Sequence, residues 1–278
     1  MRAPFDPLLS PARQSLGRGF WLGMLIFLGW LISLLGLLLV DLARWPPLLP
    51  LLAVALRTFL QTGLFIVGHD AMHRTLVPGR RDLNDRLGRL ALQCYAALPY
   101  GPCRRHHLRH HRCPGTGRDP DFRSPSGQGL VLWYLRFMGR YLSAAQLIRL
   151  LLVWGSAAVA LACLDPLRIL NLPLFWILPL VLSSLQLFLF GTYLPHRPDG
   201  LSSEAAGDPV AGVRSLPYRP FLSLLACYHF GYHREHHAYP SVPWFLLPRV
   251  RRLLMFRHGP EERLAPASGR ALVSKLVW

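Results

Sequence analysis

The sequence predicts an all-α integral membrane protein with about four transmembrane helices and a histidine-rich cap at their cytoplasmic ends. Hydrophobic residues make up 52% of the 278 residues and the mean hydropathy is +0.28, which is more apolar surface than a soluble protein needs. Four apolar segments approach the roughly 20 residues that cross a bilayer. Ten of the twelve histidines fall into three short groups beside these segments.

The four apolar segments contain few charged residues. The second holds Arg57 and Gln61, and the third holds Arg149 near its start, where a long side chain can reach back to the interface. Two weaker stretches, 87–100 and 130–142, contain arginines and are predicted to be interfacial helices. The predicted spans are 20–40, 47–68, 148–164 and 172–194.

The charge distribution predicts the orientation. The net charge is +17, and the long apolar runs exclude a nucleic-acid-binding module as its explanation. Three arginines precede Phe20, thirteen lie in 69–146 and eleven Lys or Arg follow Leu194, whereas the loops 41–45 and 165–170 hold one arginine each. Basic residues favour the cytoplasmic side, so a multi-pass protein with both termini and all histidine groups in the cytoplasm is expected.

One membrane domain, 20–248, is predicted between a cytoplasmic tail, 1–19, and a basic tail, 249–278. The first apolar segment lacks a small-residue cleavage site, so it is interpreted as an anchor, not a cleaved signal. Five cysteines without a C-x-x-C pair indicate reduced thiols. Clustered Gly and Pro predict loops at 114–117 and 195–212.

The histidine groups have helical spacing. His69 and His73 form an H-x-x-x-H pair at the end of the second span, and H-x-x-H-H follows twice, from His107 and from His233. Residues three and four apart share a helix face, so each group is expected to present its imidazoles together. The histidines concerned are His69, His73, His107, His110, His111, His233, His236 and His237.

A metal centre is the interpretation that this pattern favours. A lone histidine is usually a packing or surface residue, as expected for His106 and His258, and a single H-x-x-x-H pair is a weak signal. Three groups in a four-span chain are different, because ionisable residues at a membrane boundary are costly. Eight imidazoles exceed the four ligands of a structural zinc. A pair of irons fits the count, although imidazole suits iron, zinc and copper alike.

The order H-x-x-x-H, H-x-x-H-H, H-x-x-H-H resembles the membrane fatty-acid desaturase and hydroxylase superfamily. Longer strings are similar to bacterial and cyanobacterial beta-carotene ketolases, from about Gln61 to Pro248. These strings are GHDAMH at 68–73, HHRCPGTGRDPDF at 110–122, FGTYLPHRP at 190–198, CYHFGYHREHH at 227–237, then Pro240 and Val-Pro-Trp244.

The resemblance implies oxidation of the C4 methylene of a β-ionone ring to a ketone. Beta-carotene would give echinenone and canthaxanthin, and zeaxanthin would lead toward astaxanthin. It also implies two non-haem irons, molecular oxygen as co-substrate, a reduced ferredoxin-type donor protein and a carotenoid that arrives from the lipid bilayer. Allylic C–H bonds are unreactive toward acids and bases, so a redox metal is needed. The eight histidines of the three motifs would be the ligands, with His196 and His229 as candidates for additional ones.

Other residues are candidates for supporting roles. Metal-bound histidine usually donates its second N–H to a carboxylate or carbonyl. Asp119 and Asp121 could instead cap a loop or pair with Arg118 or Arg123. Aromatic residues of the motifs are candidates for binding the substrate, although membrane aromatics more often pack or anchor. The carboxylate candidates are Asp70, Asp119, Asp121 and Glu235, and the aromatic ones are Tyr193 and Trp244, with Phe65, Phe190 and Phe230 as weaker suggestions.

Two positions depart from the ketolase pattern. Arg74 stands where ketolases usually have a small residue, commonly glycine, and Arg234 where histidine or an apolar residue is frequent. Both adjoin predicted ligands, so they bear on substrate preference and turnover more than on the metal site. An acyl-lipid desaturase or a carotenoid hydroxylase would share that site and form a different product. A membrane metal carrier or sensor is the non-enzyme alternative, but transporters place their ligands near mid-membrane.

Overall fold

The computed structural model describes residues 17–121, 129–196 and 213–257, and every regular element in these ranges is helical. Four helices among these residues are long and apolar enough to cross a membrane, which confirms the predicted all-α fold with four spans. They are α1 (Arg18–Leu38), α2 (Leu48–His73), α6 (Ala144–Leu164) and a composite last span (Pro166–His196).

Shorter helices lie between these spans in the chain and after the last of them. Most of both predicted tails, most of the predicted loop 195–212, and the residues Arg123 and His258 lie outside the described ranges. The first part of the predicted C-terminal tail belongs to the last helix. The shorter helices are α3 (Arg81–Ala96), α4 (Tyr100–Arg112), α5 (Leu130–Tyr141), α9 (Pro220–Cys227), α10 (His233–Ala238) and α11 (Leu247–Arg257).

The polar residues of the second span are buried and bonded. Arg57 donates to the carbonyls of Trp30 at 2.6 Å and Phe175 at 3.0 Å. Gln61 accepts from the Trp30 indole at 2.6 Å and donates to the Tyr95 carbonyl at 2.5 Å. Hydrogen bonds between helices stabilise membrane bundles, so these two side chains tie α1, α3 and the last span to α2.

The last span is irregular. It begins with a 3₁₀ turn, Pro166–Leu170, and a π turn, Pro173–Ile177, before α7 (Leu178–Phe188). A second π turn, Leu189–Tyr193, precedes the final turn α8 (Leu194–His196). A π turn inserts an extra residue and is frequent at functional sites. The span therefore runs farther at both ends than the predicted 172–194, and it ends on His196.

The spans α2 and Pro166–His196 run in the same direction, so their carboxyl ends meet. Helix α2 ends at Arg74, whose φ of 62° lies in the left-handed region that favours glycine. Arg74 therefore holds a conformation that glycine would adopt without strain. Helix α3 packs closely on this end: a Cβ added to Gly88 would lie 2.8 Å from the Cβ of Ala71.

All five cysteines are free thiols, as predicted from their number and spacing.

Candidate metal centre and its cavity

Nine histidines converge on two adjacent points. In each set, the ligating nitrogens lie within 4.8 Å of one another. The first set, called here the five-histidine group, consists of His69, His73, His107, His111 and His236. The second, the four-histidine group, consists of His110, His196, His233 and His237. The structure thus brings together the eight motif histidines and His196.

Helix geometry sorts the histidines of each H-x-x-H-H box between the two groups. One residue turns the helix by about 100°, so positions i and i+4 differ by about 40°, whereas i+3 lies about 60° to the other side. His107 and His111 accordingly share the five-histidine group, while His110 joins the other. In α10 the same rule places His233 and His237 in the four-histidine group and His236 in the five-histidine group. Each box therefore contributes to both groups.

The nitrogens make more short contacts with one another than hydrogen bonding alone can satisfy. The Nε2 of His111 lies 3.1 Å from that of His107 and 2.9 Å from that of His236, yet a neutral ring has only one N–H. Within the described residues, the buried Nε2 of His69 has no hydrogen-bond partner. Such convergence of nitrogen lone pairs suits a metal ion, which binds imidazoles at about 2.0–2.1 Å.

The four-histidine group has the same character. The Nε2 of His237 lies 3.0 Å from that of His110 and 3.1 Å from that of His233, whose own Nε2 lies 3.0 Å from that of His196. A metal ion in each group would replace these crowded contacts with ligand bonds. The residues present therefore fit two metal ions.

Burial keeps most of these rings neutral. It lowers the pKa of the rings beyond the membrane spans well below the usual range, and the neighbouring imidazoles lower it further. Neutral imidazole is the form that binds metals. The rings concerned are His107, His111, His233, His236 and His237.

Asp119 fixes the orientation of His110. Both carboxylate oxygens lie 2.9 Å from Nδ1 of this ring. The same carboxylate accepts the backbone N–H groups of Gly115 and Asp121, so it caps its loop and also holds an imidazole. Burial acts to lower the pKa of His110, but the hydrogen bond to Asp119 and the charge of Asp121 outweigh it and raise the pKa. The hydrogen bond to Asp119 holds a proton on Nδ1, and Nε2 faces the four-histidine group.

The other predicted carboxylates are placed differently. Asp70 lies 3.5 Å from Nδ1 of His69, and Asp121 lies 4.0 Å from Nδ1 of His110. Glu235 is buried, but within the described ranges its polar partners are Arg251, at 3.0 Å, and the Ser215 hydroxyl. Asp70 and Asp121 can therefore act on imidazoles, whereas Glu235 ties α10 to α11.

His229 lies outside both groups. Its backbone is left-handed, with φ of 66°, and its ring stacks on Tyr232 at 5.7 Å. Burial lowers the pKa of His229 to about 4. The His229 ring therefore packs against its neighbours and does not belong to either histidine group.

A cavity of about 270 Å³ connects the histidines with the membrane side of the bundle. Its inner end is lined by His69 and His107 of one group and by His110 and His233 of the other. Its walls are mostly apolar, as in sites for lipid-soluble molecules. Its outer end is lined by three side chains that are 39–46% exposed, namely Leu142, which follows α5, Leu147 of α6 and Val181 of α7.

Residues 43–155 and 140–265 match the family model for fatty acid desaturases. This chain belongs to the fatty acid desaturase family. A beta-carotene ketolase from Paracoccus sp. (strain PC1) is 40% identical over 84% of this chain and 88% of the relative. A beta-carotene ketolase from Haematococcus lacustris is 41% identical, covering 79% and 63%, and a zeaxanthin 4-ketolase from Chlamydomonas reinhardtii is 38% identical, covering 70% and 42%.

These comparisons confirm the resemblance to beta-carotene ketolases with bacterial and algal relatives. They also confirm the predicted enzyme class, since the desaturase family and the ketolases are oxidoreductases. The four candidate spans agree with a membrane protein of this family.

The aromatic residues that line the cavity are not the two that the sequence favoured, Tyr193 and Trp244. Tyr193 packs against Trp133 at 5.4 Å, and Trp244 packs against Tyr228 at 5.1 Å; neither is among the described lining residues. Phe65 and Phe230 do line the cavity. Three α5 side chains in the cavity wall were not predicted from the sequence, namely Tyr134, Phe137 and Tyr141. The amphipathic pattern of 130–142 was the one sequence feature that could have indicated them.

Proposed function

We propose that this chain is a beta-carotene 4-ketolase that oxidises the C4 methylene of β-ionone rings, and that it also accepts hydroxylated rings such as those of zeaxanthin. One observation carries the proposal: a single apolar cavity opens among membrane-facing side chains and ends on histidines of both groups. A hydrocarbon ring can therefore pass from lipid to the converging nitrogens without entering water. The relatives with ketolase names, at 38–42% identity, support this substrate class.

The proposed cofactor is a pair of non-haem irons. The five-histidine group and the four-histidine group would hold one ion each, which assigns a ligand role to the eight motif histidines and His196. When bound, the irons supply the activation of molecular oxygen that hydroxylation of an unactivated C–H bond requires. Imidazole-rich sites also accept zinc and copper, so the redox requirement of the reaction is what favours iron.

The overall chemistry consists of two hydroxylations of one carbon. The methylene, O₂, two electrons and two protons give the C4 alcohol and water. The alcohol, a second O₂, two electrons and two protons give the geminal diol and water, and the diol loses water to leave the ketone. Four electrons per ketone must come from outside, which supports a ferredoxin-type protein as the donor.

The chain's own residues would position the ring and keep the site dry. Phe230 packs its ring edge-on against His69 at 4.5 Å and stacks near His236 at 6.0 Å, so it covers the inner end of the cavity. Asp119 holds the His110 ring, and Asp70 lies beside the His69 ring. Groups held in advance of the reaction do not have to reorganise during it.

We infer that the histidine end of the bundle faces the cytoplasm, where the donor protein would dock. Arg105, Arg109 and Arg112 are exposed along α4, the helix that also carries His107, His110 and His111. An exposed basic face beside the metal groups suits an acidic electron-transfer protein, because opposite charges steer association. The excess of basic residues on this side supports the same orientation.

The proposal is tested by expressing the chain in bacteria that accumulate beta-carotene, with His69→Ala as the inactive control. Echinenone or canthaxanthin from the wild type alone is the expected result. Hydroxylated products without ketones would reassign the chain as a carotenoid hydroxylase. Unchanged pigment, with the protein present in the membrane and iron supplied, would refute the carotenoid assignment and favour an acyl-lipid desaturase. Iron binding with no oxygen-dependent product from either substrate would favour a metal carrier or sensor.

A further inference from the structure

One corner of the otherwise apolar cavity is polar, and it lies beside the histidines. Tyr141, at the end of α5, donates its phenol hydrogen to Oδ1 of Asp121 at 2.7 Å. Both side chains line the cavity together with His110, whose Nδ1 lies 4.0 Å from the Asp121 carboxylate. Hydrogen-bonding groups therefore stand where the oxidised end of a substrate ring has to lie.

Asp121 is firmly held and still has acceptor capacity. Its backbone carbonyl accepts from the Trp133 indole at 3.1 Å, and its N–H donates to Asp119 at 2.8 Å. The two oxygens of a carboxyl group offer several acceptor positions, and the Tyr141 phenol occupies one of them. The Asp121 side chain is 9% exposed, so part of it is open to a small group in the cavity.

A ketolase has a specific need at this place. Its ring must be oxidised twice at one carbon, and after the first hydroxylation it carries an alcohol within an apolar cavity. A buried hydroxyl without a hydrogen-bond partner is unfavourable, and the alcohol is free to return to the bilayer. An acceptor beside the reacting carbon would favour retention over release.

We propose that Asp121, positioned by Tyr141, accepts a hydrogen bond from the hydroxyl of the once-oxidised ring and retains that ring for its second oxidation. The proposal rests on the ketolase function above and assigns to this corner the choice between alcohol and ketone products. Tyr141 acts as a positioning residue, because its phenol orients the Asp121 carboxylate. No covalent bond or proton transfer is involved in the retention.

The test compares Tyr141→Phe with Tyr134→Phe in cells that supply beta-carotene. Both residues lie on α5 and line the same cavity, but the Tyr134 phenol bonds Ser184 at 2.7 Å, not Asp121. The measured quantity is the ratio of 4-hydroxy to 4-keto products. Loss of the Tyr141–Asp121 hydrogen bond, which orients the acceptor, predicts a ratio raised roughly tenfold in Tyr141→Phe. Tyr134→Phe is expected to keep the wild-type ratio.

A wild-type ratio in Tyr141→Phe would overturn the proposal, even if total product fell, because damage to the fold or the metal groups lowers both products together. If Tyr141→Phe fails to reach the membrane, Asp121→Asn is measured instead: a raised ratio supports the proposal and a wild-type ratio overturns it. Absence of every 4-oxygenated product from the wild type would refute the ketolase function itself. The two failures are thus distinguishable.

Discussion

His110 contacts Asp119 through one ring nitrogen and His237, another member of the four-histidine group, through the other. Nδ1 lies 2.9 Å from both oxygens of the carboxylate, and Nε2 lies 3.0 Å from Nε2 of His237. A histidine held in this way has a fixed ring orientation and a more basic ligand nitrogen. The loop that carries Asp119 is therefore part of the candidate metal centre.

Replacement of Asp119 by Ala should weaken metal binding at the four-histidine group by roughly 10- to 100-fold, since the ring loses its partner. Iron retained by the purified protein during titration with a chelator measures this effect. Asp165→Ala is the matched control, because Asp165 also caps a turn, through the Leu167 N–H at 3.0 Å, at the opposite end of the last span. Equal iron retention in the two variants would contradict the role of Asp119.

His196 and His229 should respond differently to replacement by Ala. His196 lies in the four-histidine group, 3.0 Å from His233 between Nε2 atoms, whereas His229 lies outside both groups. His196→Ala should lower bound iron from about two ions to about one per chain and abolish ketone formation. His229→Ala should retain both ions. Metal analysis of the purified variants decides, and iron loss in His229→Ala alone would show that the assignment is wrong.

The sequence predicted the four spans well because hydropathy over some 20 residues is a local property. It could not predict the ends of the last span, which depend on the 3₁₀ turn Pro166–Leu170 at its start and the π turn Leu189–Tyr193 near its end. The role of Arg57 and Gln61 was also hidden. Polar residues within an apolar span are easily recognised in the sequence, but their hydrogen-bond partners here, Trp30 and Phe175, are distant in sequence.

Spacing identified the eight motif histidines but could not assign them to two groups. That assignment depends on how α2, α4, α10 and the last span are placed around one another. His196 carried no spacing signal, since it stands alone in sequence, and only the resemblance to ketolases singled it out. The same resemblance pointed to Tyr193 and Trp244, whereas the cavity wall is formed partly by α5, whose contribution requires the tertiary structure.

Acid should destabilise the metal-free protein. Five rings have a pKa lowered from the usual 6.5 by burial, so below that pH the unfolded chain binds protons that the native chain does not. Stability is then retained above about pH 6.5 and lost as the pH falls, by up to about 1.4 kcal/mol per pH unit for each ring. The pKa of His110 is raised, so this one ring contributes stability in acid, against the effect of the other five.

Thermal unfolding of the metal-free protein in detergent, at about pH 7.5 and about pH 5.5, measures this dependence. A lower melting temperature in acid is expected. An equal or higher one would mean that the histidines are not buried as neutral rings.

Filling the cavity should impair the reaction without affecting the metal centre. Leu180 lines the cavity, so Leu180→Trp should lower carotenoid conversion by roughly tenfold through steric conflict. Leu182 lies two residues away on α7, is 37% exposed and is not among the described residues that line the cavity. Leu182→Trp is therefore the control. Carotenoid conversion and bound iron are measured together. Equal conversion by both variants would place the substrate elsewhere.

In the proposed function, a cavity closed by two histidine groups directs molecular oxygen to C4 of a β-ionone ring. The most direct measurement is conversion of beta-carotene by the purified, iron-loaded protein with a ferredoxin-type donor under ¹⁸O₂, followed by mass spectrometry of the product. We expect a C4 ketone whose oxygen is ¹⁸O. A ketone that carries oxygen only from water, under conditions where added ¹⁸O-labelled ketone keeps its label, would contradict it.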